Sequence, residues 1–267
     1  MKSNLHKDIT VITILFNTPL KKVYNLRQYK NFNLSVFEQG SSVNSKNEIR
    51  KVLDFKFDYY YSKKNLGLSR GINLLISKTK TKYCLITEPD IFIKEKSIIN
   101  FKKIINSDKD LLLLGPRYNN KKIKNNFQYT KKIDLSCVFF ETKKVKKFNF
   151  YDEDFFFFWN DVDLIKRINN SKLKMAVAKN SYASHSMSSS SMDKFYVNLL
   201  REKSYKYGEL IYDYKYGKLR FLKIIRQLFQ SIFKIFFFII IFNKKGFLIN
   251  FGYFLGIINF LLYFLKK

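Results

Sequence analysis

Two acidic side chains, Glu88 and Asp90, stand on either side of a proline, one residue after the apolar run at residues 83–86. A short apolar run of this kind is typical of a buried strand in a parallel sheet. Open α/β sheets bind their ligands at the carboxyl ends of such strands. Carboxylates this close repel each other, and a divalent cation that prefers oxygen ligands, Mg²⁺ or Mn²⁺, relieves the repulsion. The pattern therefore indicates a metal site, unless the two residues are only solvated turn residues.

A second acidic stretch, YDEDFFFFWNDVDLIKR, covers residues 151–167. Apolar residues at helical spacing predict a helix over residues 161–168, which places Asp161 near its N-terminus. A carboxylate there is either a favourable charge or cap at the helix end, or a catalytic base. The aromatic run at residues 155–159 is too apolar for a solvated loop, so we expect it to be buried beneath the site.

Two further turns follow predicted strands and carry polar residues. Glu38 comes after the strand at residues 34–37 and is followed by Gln39, Gly40 and two serines. A carboxylate in this position can bind a nucleobase or ribose edge, and the small residues would let a ligand come close. The other interpretation is a simple turn.

The third predicted strand, residues 57–61, leads into the sequence NLGLSRGIN at residues 65–73. Its two glycines open a helix that we expect to run to about Ser77. A helix N-terminus that a ligand can approach closely is suited to a diphosphate, and Arg70 could add positive charge. A strand at residues 175–178 precedes His185, which could complete a metal site or serve a structural role.

The elements that position these residues alternate between strands and helices. A first strand at residues 8–17 ends at Asn17, a helix follows at residues 20–29, and another helix covers residues 98–105. This alternation predicts a parallel, nucleotide-binding type of sheet. Further predicted features are a strand at 111–114 that ends at Gly115-Pro116, a surface loop at 119–128 and a strand at 133–141.

Length and charge set the limits of the interpretation. The 267 residues allow one domain with an extension, and the formal net charge of +29 suggests an anionic partner. Only 8 of the 50 basic residues are Arg, however, and the chain is also rich in Asn, Ile, Phe and Tyr. Because that mixture is typical of a coding bias towards Lys, and Lys lacks the bidentate fork of Arg, we expect no nucleic-acid partner.

The cysteines and the N-terminus bear on the compartment. Cys84 and Cys137 lie in apolar strand-like runs, which predicts buried free thiols in a reducing compartment. There is no CxxC pair or Cys/His cluster in the sequence, which argues against structural zinc. The first residues, MKSNLHKDIT, have no apolar signal core, so we expect the first two-thirds of the chain to be cytoplasmic.

The C-terminal tail is basic and apolar. From Tyr214 onwards it has ten basic residues and no acidic one. Residues 219–233 have the pattern of a basic amphipathic helix, suited to an anionic membrane surface. Residues 246–265 are about long enough to span a bilayer, although Asn250 and Asn259 interrupt them.

Four arrangements of this tail are open. It could form one transmembrane helix, a hairpin with the apolar run at 235–242, or an in-plane anchor. The lysine pairs at 244–245 and 266–267 favour cytoplasmic ends on both sides, and therefore a hairpin or an in-plane arrangement. In the fourth arrangement the helices pack on the catalytic domain or on a second copy of the chain.

Taken together and in order, the motifs resemble those of the family 2 glycosyltransferases with the GT-A fold, and most of all the rhamnosyltransferase-like branch. The resemblance covers roughly residues 8 to 190, and its most specific parts are NLGLSRGIN, TEPD and YDEDFFFFWNDVDLIKR. It implies an α/β, Rossmann-like fold with a mostly parallel central sheet flanked by helices. We expect a catalytic domain at residues 1–212 and a helical, membrane-associating tail at 213–267.

The resemblance also implies roles for individual residues. Asp161 matches the proposed general base, while Asp90 and His185 match the residues that hold the metal, Mg²⁺ or Mn²⁺. Glu38 stands where the family usually has an Asp that contacts the base, and Asn160 stands where it has a Glu. The donor-binding candidates are Asn17, Glu38, Asn65, Gly67, Arg70, Asn73 and Glu88. The acceptor-side candidates are Asp152, Glu153, Trp159 and Asn160.

The implied activity is that of a metal-dependent, inverting glycosyltransferase of the hexosyl type. It would move a sugar, rhamnose by analogy with the branch, from a nucleotide diphosphate to a lipid-linked or surface-glycan acceptor. The expected place is the cytoplasmic face of the cell membrane, and the chain could form a homo-oligomer. The alternatives are another donor sugar, such as a hexose or galactofuranose, and a catalytically silent module that serves as a basic membrane or nucleic-acid adaptor.

Overall fold

The computed structural model describes residues 6–40, 46–118, 123–185 and 194–267. These fall into two compact units, one formed by Met1–Tyr151 with Leu164–Met192 and the other by Asp152–Asp163 with Asp193–Lys267. The strands are β1 (His6–Leu15), β2 (Phe32–Gln39), β3 (Asp58–Ser62), β4 (Tyr83–Thr87), β5 (Ile91–Ile93), β6 (Leu111–Arg117), β7 (Phe127–Thr130), β8 (Cys137–Glu141) and β9 (Lys174–His185). The helices are α1 (Leu20–Val23), α2 (Lys46–Leu53), α3 (Leu68–Lys78), α4 (Glu95–Ser107), α5 (Thr142–Phe148), α6 (Asn160–Asn169), α7 (Lys194–Lys215), α8 (Phe221–Ile240) and α9 (Lys244–Phe264).

The first unit is built on a mixed sheet, flanked by helices, in the order β3-β2-β1-β4-β8-β6-β9-β5, with β7 also paired to β9. Strands β3, β2, β1 and β4 are parallel to one another. Strand β8 is antiparallel to both of its neighbours, whereas β6 and β9 are parallel. The α/β class is therefore confirmed, and the longest run of adjacent parallel strands, β3-β2-β1-β4, comes from the N-terminal half of the unit. Since parallel strands end at one edge, the turns that follow β1 to β4 lie along that same edge.

The core of this unit lies on both faces of the sheet because side chains alternate along each strand. Leu34 and Val36 of β2 belong to one buried cluster, and Phe37 belongs to the other. Phe139 and Phe140 of β8 divide in the same way. Each fully buried side chain of this size stabilises the fold by about 1.5–3 kcal/mol.

Both cysteines lie inside this core. Cys84 and Cys137 are buried and free, as predicted, and burial raises the pKa of both thiols. A thiol in such surroundings stays protonated and unreactive at neutral pH.

Several predicted elements have different bounds in the structure. The predicted helix at residues 20–29 is one α-turn, α1, followed by a 3-10 helix over Tyr24–Tyr29. Strand β6 does not stop at Gly115-Pro116, because a register shift between Gly115 and Arg117 lets the strand take in the proline. The predicted loop at 119–128 is only partly described, since residues 119–122 lie outside the described ranges and Phe127 already belongs to β7.

Strand β9 is also longer than the four residues predicted. Its first part pairs with β6, and its last part turns to β5, where Ile91 pairs with His185. The extension matters for function because it places the histidine on a strand, not on a loop.

The second unit is formed by α7, α8 and α9 together with residues 152–163. Its core contains Phe155, Leu210, Ile211, Ile224, Ile257 and Phe260. Helix α9 packs closely on α7, because a Cβ at Gly252 would lie 2.5 Å from Glu202 Cβ and one at Gly256 would lie 2.6 Å from the Lys203 carbonyl oxygen. Helix α7 was not predicted, and the predicted boundary between residues 212 and 213 falls inside it.

Candidate active site

The pairing of β5 with the end of β9 brings three potential metal ligands together. Strand β4 ends at Thr87, and Glu88, Pro89 and Asp90 form a turn closed by a hydrogen bond from the Ile91 N–H to the Glu88 carbonyl oxygen, 3.1 Å. Proline suits the second position of such a turn because its φ is fixed. Since Ile91 is paired with His185, the imidazole lies beside Asp90.

The distances within this cluster suit a shared cation. His185 Nε2 lies 3.4 Å from Asp90 Oδ1 and 3.7 Å from Glu88 Oε2. One potential ligand atom from each residue lies within 4.8 Å of the others. Asp90 is buried, whereas Glu88 and His185 are half-buried, so the cluster is open to solvent on one side.

One carboxylate oxygen of this cluster lacks a hydrogen bond. Asp90 Oδ1 is buried and has no hydrogen-bond partner among the described residues. A buried acceptor in this state is costly, and a bound cation would satisfy it. Two carboxylates and an imidazole form a donor set that Mn²⁺ accepts readily and Mg²⁺ can also use. The residues present therefore fit a divalent metal.

Residues near the first helix support this turn, and sequence reasoning did not find them. Lys22 Nζ lies 3.7 Å from the second oxygen of Asp90. Asn25 Nδ2 donates to the Pro89 carbonyl oxygen at 3.1 Å, and Gln28 Nε2 donates to that of Ile91 at 3.0 Å. The Ile93 N–H in turn donates to Gln28 Oε1 at 2.9 Å. The turn that carries Glu88 and Asp90 is therefore held from outside by side chains some sixty residues earlier.

Glu38 lies near the carboxyl end of β2, which is separated from β4 in the sheet by β1. It is 1% exposed, and the Tyr59 hydroxyl donates a short hydrogen bond of 2.5 Å to its Oε2. Its Oε1 is buried without a hydrogen-bond partner in the described ranges. Burial and the adjacent Glu38 carboxylate raise the pKa of Tyr59, so the hydroxyl remains a donor at neutral pH. Glu38 thus keeps one acceptor oxygen for another group.

The turns after β2 and β3 pack against each other. Gly40 has φ +57°, and a Cβ there would lie 2.9 Å from the Asn65 backbone nitrogen, so only glycine fits. Gln39 clamps the second turn by donating to the Gly67 carbonyl oxygen at 3.2 Å and accepting from the Leu66 N–H at 3.0 Å. Asn65 Oδ1 accepts from the Gly67 N–H at 2.9 Å, and α3 begins immediately afterwards.

The remaining donor-side candidates differ in their surroundings. Asn17 is buried and has a positive φ of 47°, in the region that asparagine tolerates better than most residues. Arg70 is exposed on the first turn of α3. Asn73 forms two hydrogen bonds with the backbone of Tyr151: its Nδ2 donates to the Tyr151 carbonyl oxygen at 2.8 Å, and its Oδ1 accepts from the Tyr151 N–H at 3.1 Å. Asn73 therefore fixes the point at which the chain leaves the first unit.

Asp161 lies in the second unit, on the first turn of α6, and is exposed. The neighbouring Asn160 is buried and its Oδ1 accepts from the Asp161 N–H at 3.0 Å. Buried polar atoms without hydrogen-bond partners in the described chain occur in this segment too, at Asn160 Nδ2 and Trp159 Nε1. The Trp159 ring lies between Tyr205 and Tyr212 of α7, with centroids 5.8 and 5.3 Å away.

The other acidic residues of this segment are mostly held by the C-terminal helices. Lys215 forms ion pairs with both Asp152 and Asp154, the latter at 2.7 Å, and the Tyr263 hydroxyl donates to Asp154 at 2.7 Å. Burial would raise the pKa of Asp154, but the hydrogen bonds from Lys215 and Tyr263 outweigh it and hold that pKa below its ordinary value. Glu153 is exposed. Of the aromatic run at residues 155–159, which was predicted to be buried beneath the site, only Phe155 is buried, and it packs in the core of the helical unit, whereas residues 156–159 are half-buried.

The structure thus brings Glu88, Asp90 and His185 together and places Gly40 against Asn65. It places Asp161 and the four acceptor-side candidates in the helical unit. No sequence pattern signals Lys22, Tyr59 or Lys215, because each reaches its partner only through the tertiary fold.

A mixed sheet with a potential cation site at the carboxyl end of β4, flanked by helices, defines an α/β protein of the GT-A type. The sequence profile described as glycosyl transferase family 2 matches residues 10–168. The chain belongs to this family, and the match includes every candidate residue except His185.

Solved structures show the same fold at low sequence identity. The mannosyltransferase PcManGT from Pyrobaculum calidifontis, in complex with GDP-Man and Mn²⁺, aligns with a TM-score of 0.57 and 12% identity over 79% of this chain and 66% of its own. S. aureus TarS aligns with a TM-score of 0.51 and 14% identity over 73% of this chain and 39% of its own. TarS residues 1–349, in complex with UDP-GlcNAc, align with a TM-score of 0.50 and 12% identity over 74% of this chain and 66% of their own length. This chain spans less than two-thirds of each neighbour, and no curated protein matches it in sequence.

Proposed function

We propose that this protein is a metal-dependent, inverting glycosyltransferase that uses a nucleotide-diphosphate sugar. The observation that carries the proposal is the cluster of Glu88, Asp90 and His185 in a chain of family 2, with Asp90 Oδ1 buried and without a hydrogen bond to the described residues. PcManGT, a structural neighbour, has a nucleotide sugar and Mn²⁺ together in its complex. That neighbour supports the choice of donor class and metal.

The first part of the mechanism is departure of the nucleotide. Asp90, His185 and Glu88 would hold Mg²⁺ or Mn²⁺, and the chemistry such an ion would supply when bound is neutralisation of the charge of a leaving diphosphate. Glu38 presents its free Oε1 as an acceptor for an N–H of the nucleobase, while Tyr59 fixes the other oxygen. Gly67, immediately before α3, would let a diphosphate approach the backbone N–H groups at the N-terminus of that helix.

The second part is attack by the acceptor. Asp161 takes the proton of an acceptor hydroxyl, whose oxygen forms a bond to the anomeric carbon as the bond to the diphosphate oxygen breaks. A single displacement of this kind inverts the anomeric configuration. Asp161 suits the role because it is exposed on the first turn of α6, where an acceptor hydroxyl can reach it.

The donor sugar we propose to test first is rhamnose, because the motif order most resembles the rhamnosyltransferase-like branch. A hexose or galactofuranose is the alternative. The acceptor we propose is a lipid-linked or surface glycan. Buried free thiols suit the reducing cytoplasm, where we place the protein at the membrane surface.

Screening of nucleotide sugars by calorimetry and mass spectrometry, with Mg²⁺ or Mn²⁺ present, tests the proposal. We expect one donor class to bind with metal and to be consumed when acceptor is added. Asp161→Asn should keep donor binding and lose transfer, because the isosteric amide cannot take the proton. Unchanged transfer by this variant would remove Asp161 from the mechanism. Salt-sensitive nucleic-acid binding without nucleotide-sugar binding would instead favour an adaptor.

A further inference from the structure

Helix α8 exposes a continuous apolar face. Its members recur at intervals of three and four residues, which places them along one side of the helix. The most exposed are Leu222 at 82%, Phe233 at 72% and Ile240 at 74%. Over the eighteen helical steps from residue 222 to residue 240 the face extends about 27 Å. The full set is Leu222, Ile225, Phe229, Phe233, Phe236 and Ile240.

The same helix also has a buried side. Ile224 and Leu228 contribute to the core of the helical unit, and Ser231 is buried. The outward face is therefore a second apolar surface, in addition to the one that helix packing requires. Large contiguous apolar surfaces of this kind mark interaction sites in soluble proteins.

Positive charge borders one side of this face. Arg226 and Lys234 are exposed on α8 beside the apolar stripe, and Arg220 precedes it. From Tyr214 to Lys267 the chain has ten basic residues and no acidic one. An apolar stripe bordered by cations along one side is complementary to a bilayer with anionic headgroups, since the apolar residues enter the acyl boundary and the cations reach the phosphates.

The turn between α8 and α9 continues this character. Phe242 is 91% exposed and has a φ of +52°, a conformation that favours glycine or asparagine after a helix. Exposure of a large aromatic side chain to water is unfavourable, and so is the positive φ of a residue other than glycine or asparagine. Burial of the ring in lipid would remove the first of these two costs. Lys244 and Lys245 follow immediately, and a groove of about 860 Å³ lined mainly by apolar residues opens beside them.

Helix α9 passes the length and composition test for a membrane span, yet its contacts argue against spanning. Its Gly252 and Gly256 lie against the part of α7 that carries Glu202, Lys203 and Lys206. Its Tyr263 donates a hydrogen bond to Asp154. A spanning α9 would lose these contacts or take charged residues into the hydrocarbon region, which is costly.

We propose that the outward face of α8, together with Phe242 and the adjacent lysines, inserts in the plane of an anionic membrane surface while α9 remains packed on α7. A second copy of this chain is a less suitable occupant, because pairing two such faces would bring Arg226 and Lys234 of both copies close together. The inference does not depend on the glycosyl transfer activity.

The test is flotation of the full-length protein with vesicles of phosphatidylcholine, with and without about one-third phosphatidylglycerol. We expect binding only to the anionic vesicles and weaker binding at high salt. Phe229→Asp should reduce binding about tenfold or more. Gln230→Asp is the matched control, since it adds the same charge at the adjacent, exposed position outside the stripe, and we expect a much smaller loss.

Both variants change exposed residues, and circular dichroism and thermal melting verify that they fold. Alkaline carbonate should release the bound protein, because an in-plane helix is not anchored like a span. Absence of binding to anionic vesicles, or equal losses in the two variants, would overturn the proposal. Resistance to carbonate would overturn the in-plane arrangement. A dimer in solution that Phe229→Asp dissociates, without vesicle binding, would assign the face to a second copy.

Discussion

The two compact units differ in how their acidic side chains are paired. In the sheet unit, Asp90 and Glu38 each keep one buried oxygen without a hydrogen-bond partner in the described chain. In the helical unit, Asp154 is held by Lys215 and Tyr263, and Lys215 also pairs with Asp152. Under the proposed function these buried oxygens of Asp90 and Glu38 are available to a ligand, whereas the paired carboxylates hold a segment in place. A buried acceptor oxygen without a hydrogen bond, more than the presence of an acidic residue, is what makes Asp90 and Glu38 candidate site residues.

The largest expected effect comes from Asp90→Asn. The amide is a poor metal ligand, so we expect Mn²⁺ affinity to fall by about a hundredfold or more and transfer to be lost. The free energy of unfolding without metal should change little or rise, because an incompletely satisfied buried charge is removed. Calorimetry with Mn²⁺ and chemical unfolding measure the two quantities.

Asp54→Asn is the control for this prediction. Its side chain is 75% exposed and pairs only loosely with Arg27, at 3.7 Å. Mn²⁺ affinity should be unaffected. Equal metal affinity in Asp90→Asn and the wild type would contradict the assignment of the site.

Lys215→Met should lower the free energy of unfolding and leave Mn²⁺ affinity unchanged. Removal of the ammonium leaves Asp152 and Asp154 without their shared cation, and we expect a loss of about 1–3 kcal/mol after allowance for partial exposure. Chemical unfolding measures it, with Lys234→Met as an exposed control. A fall in Mn²⁺ affinity without a change in the free energy of unfolding would contradict this structural role of Lys215.

Tyr59→Phe tests the hydrogen bond that fixes one of the two carboxylate oxygens of Glu38. Without the hydroxyl, the carboxylate loses its only described hydrogen bond, and we expect nucleoside-diphosphate affinity to fall several-fold, consistent with about 1 kcal/mol for one hydrogen bond. Tyr61→Phe is the control, since that residue is 57% exposed on the same strand. Equal affinities of both variants and the wild type would show that Glu38 does not contact the donor.

The smallest effect is a dependence on pH. The pKa of Asp154 is lowered in the folded protein, so its contribution to stability is present above the unfolded pKa of about 4 and is lost as the pH falls through the folded value. Urea unfolding between pH 6 and pH 3 should therefore show a smaller decline in Asp154→Asn than in the wild type. Parallel declines would mean that other carboxylates account for the acid sensitivity.

The sequence predicted the features that depend on local order along the chain. Glu88 and Asp90 follow a readable strand, and the Gly67 turn precedes a readable helix, so both could be placed before the fold was known. Their supports could not be found in this way. Gln28 binds backbone groups more than sixty residues later, and Lys215 pairs with an acid 63 residues earlier. Such contacts carry no periodic signal.

The errors have similar physical causes. Proline usually ends a strand, but the register shift in β6 accommodates Pro116 at an irregular point of the sheet. The extension of β9 was missed because residues 179–185 are polar, and their place in the sheet depends on pairing with β5. Helix α7 was missed because residues 194–215 mix charges and aromatics on every side.

The segment from Asp152 to Asp163 ties the evolution of the helical unit to a stretch inside the sequence of the sheet unit. It leaves the sheet after Tyr151, contributes Phe155 to the core of the C-terminal helices, and rejoins the sheet unit at Leu164. A chimera that exchanges the tail with that of a relative must therefore exchange these twelve residues as well. Natural variants of the tail would be expected to change together with this inserted stretch, while the sheet unit can vary independently of both.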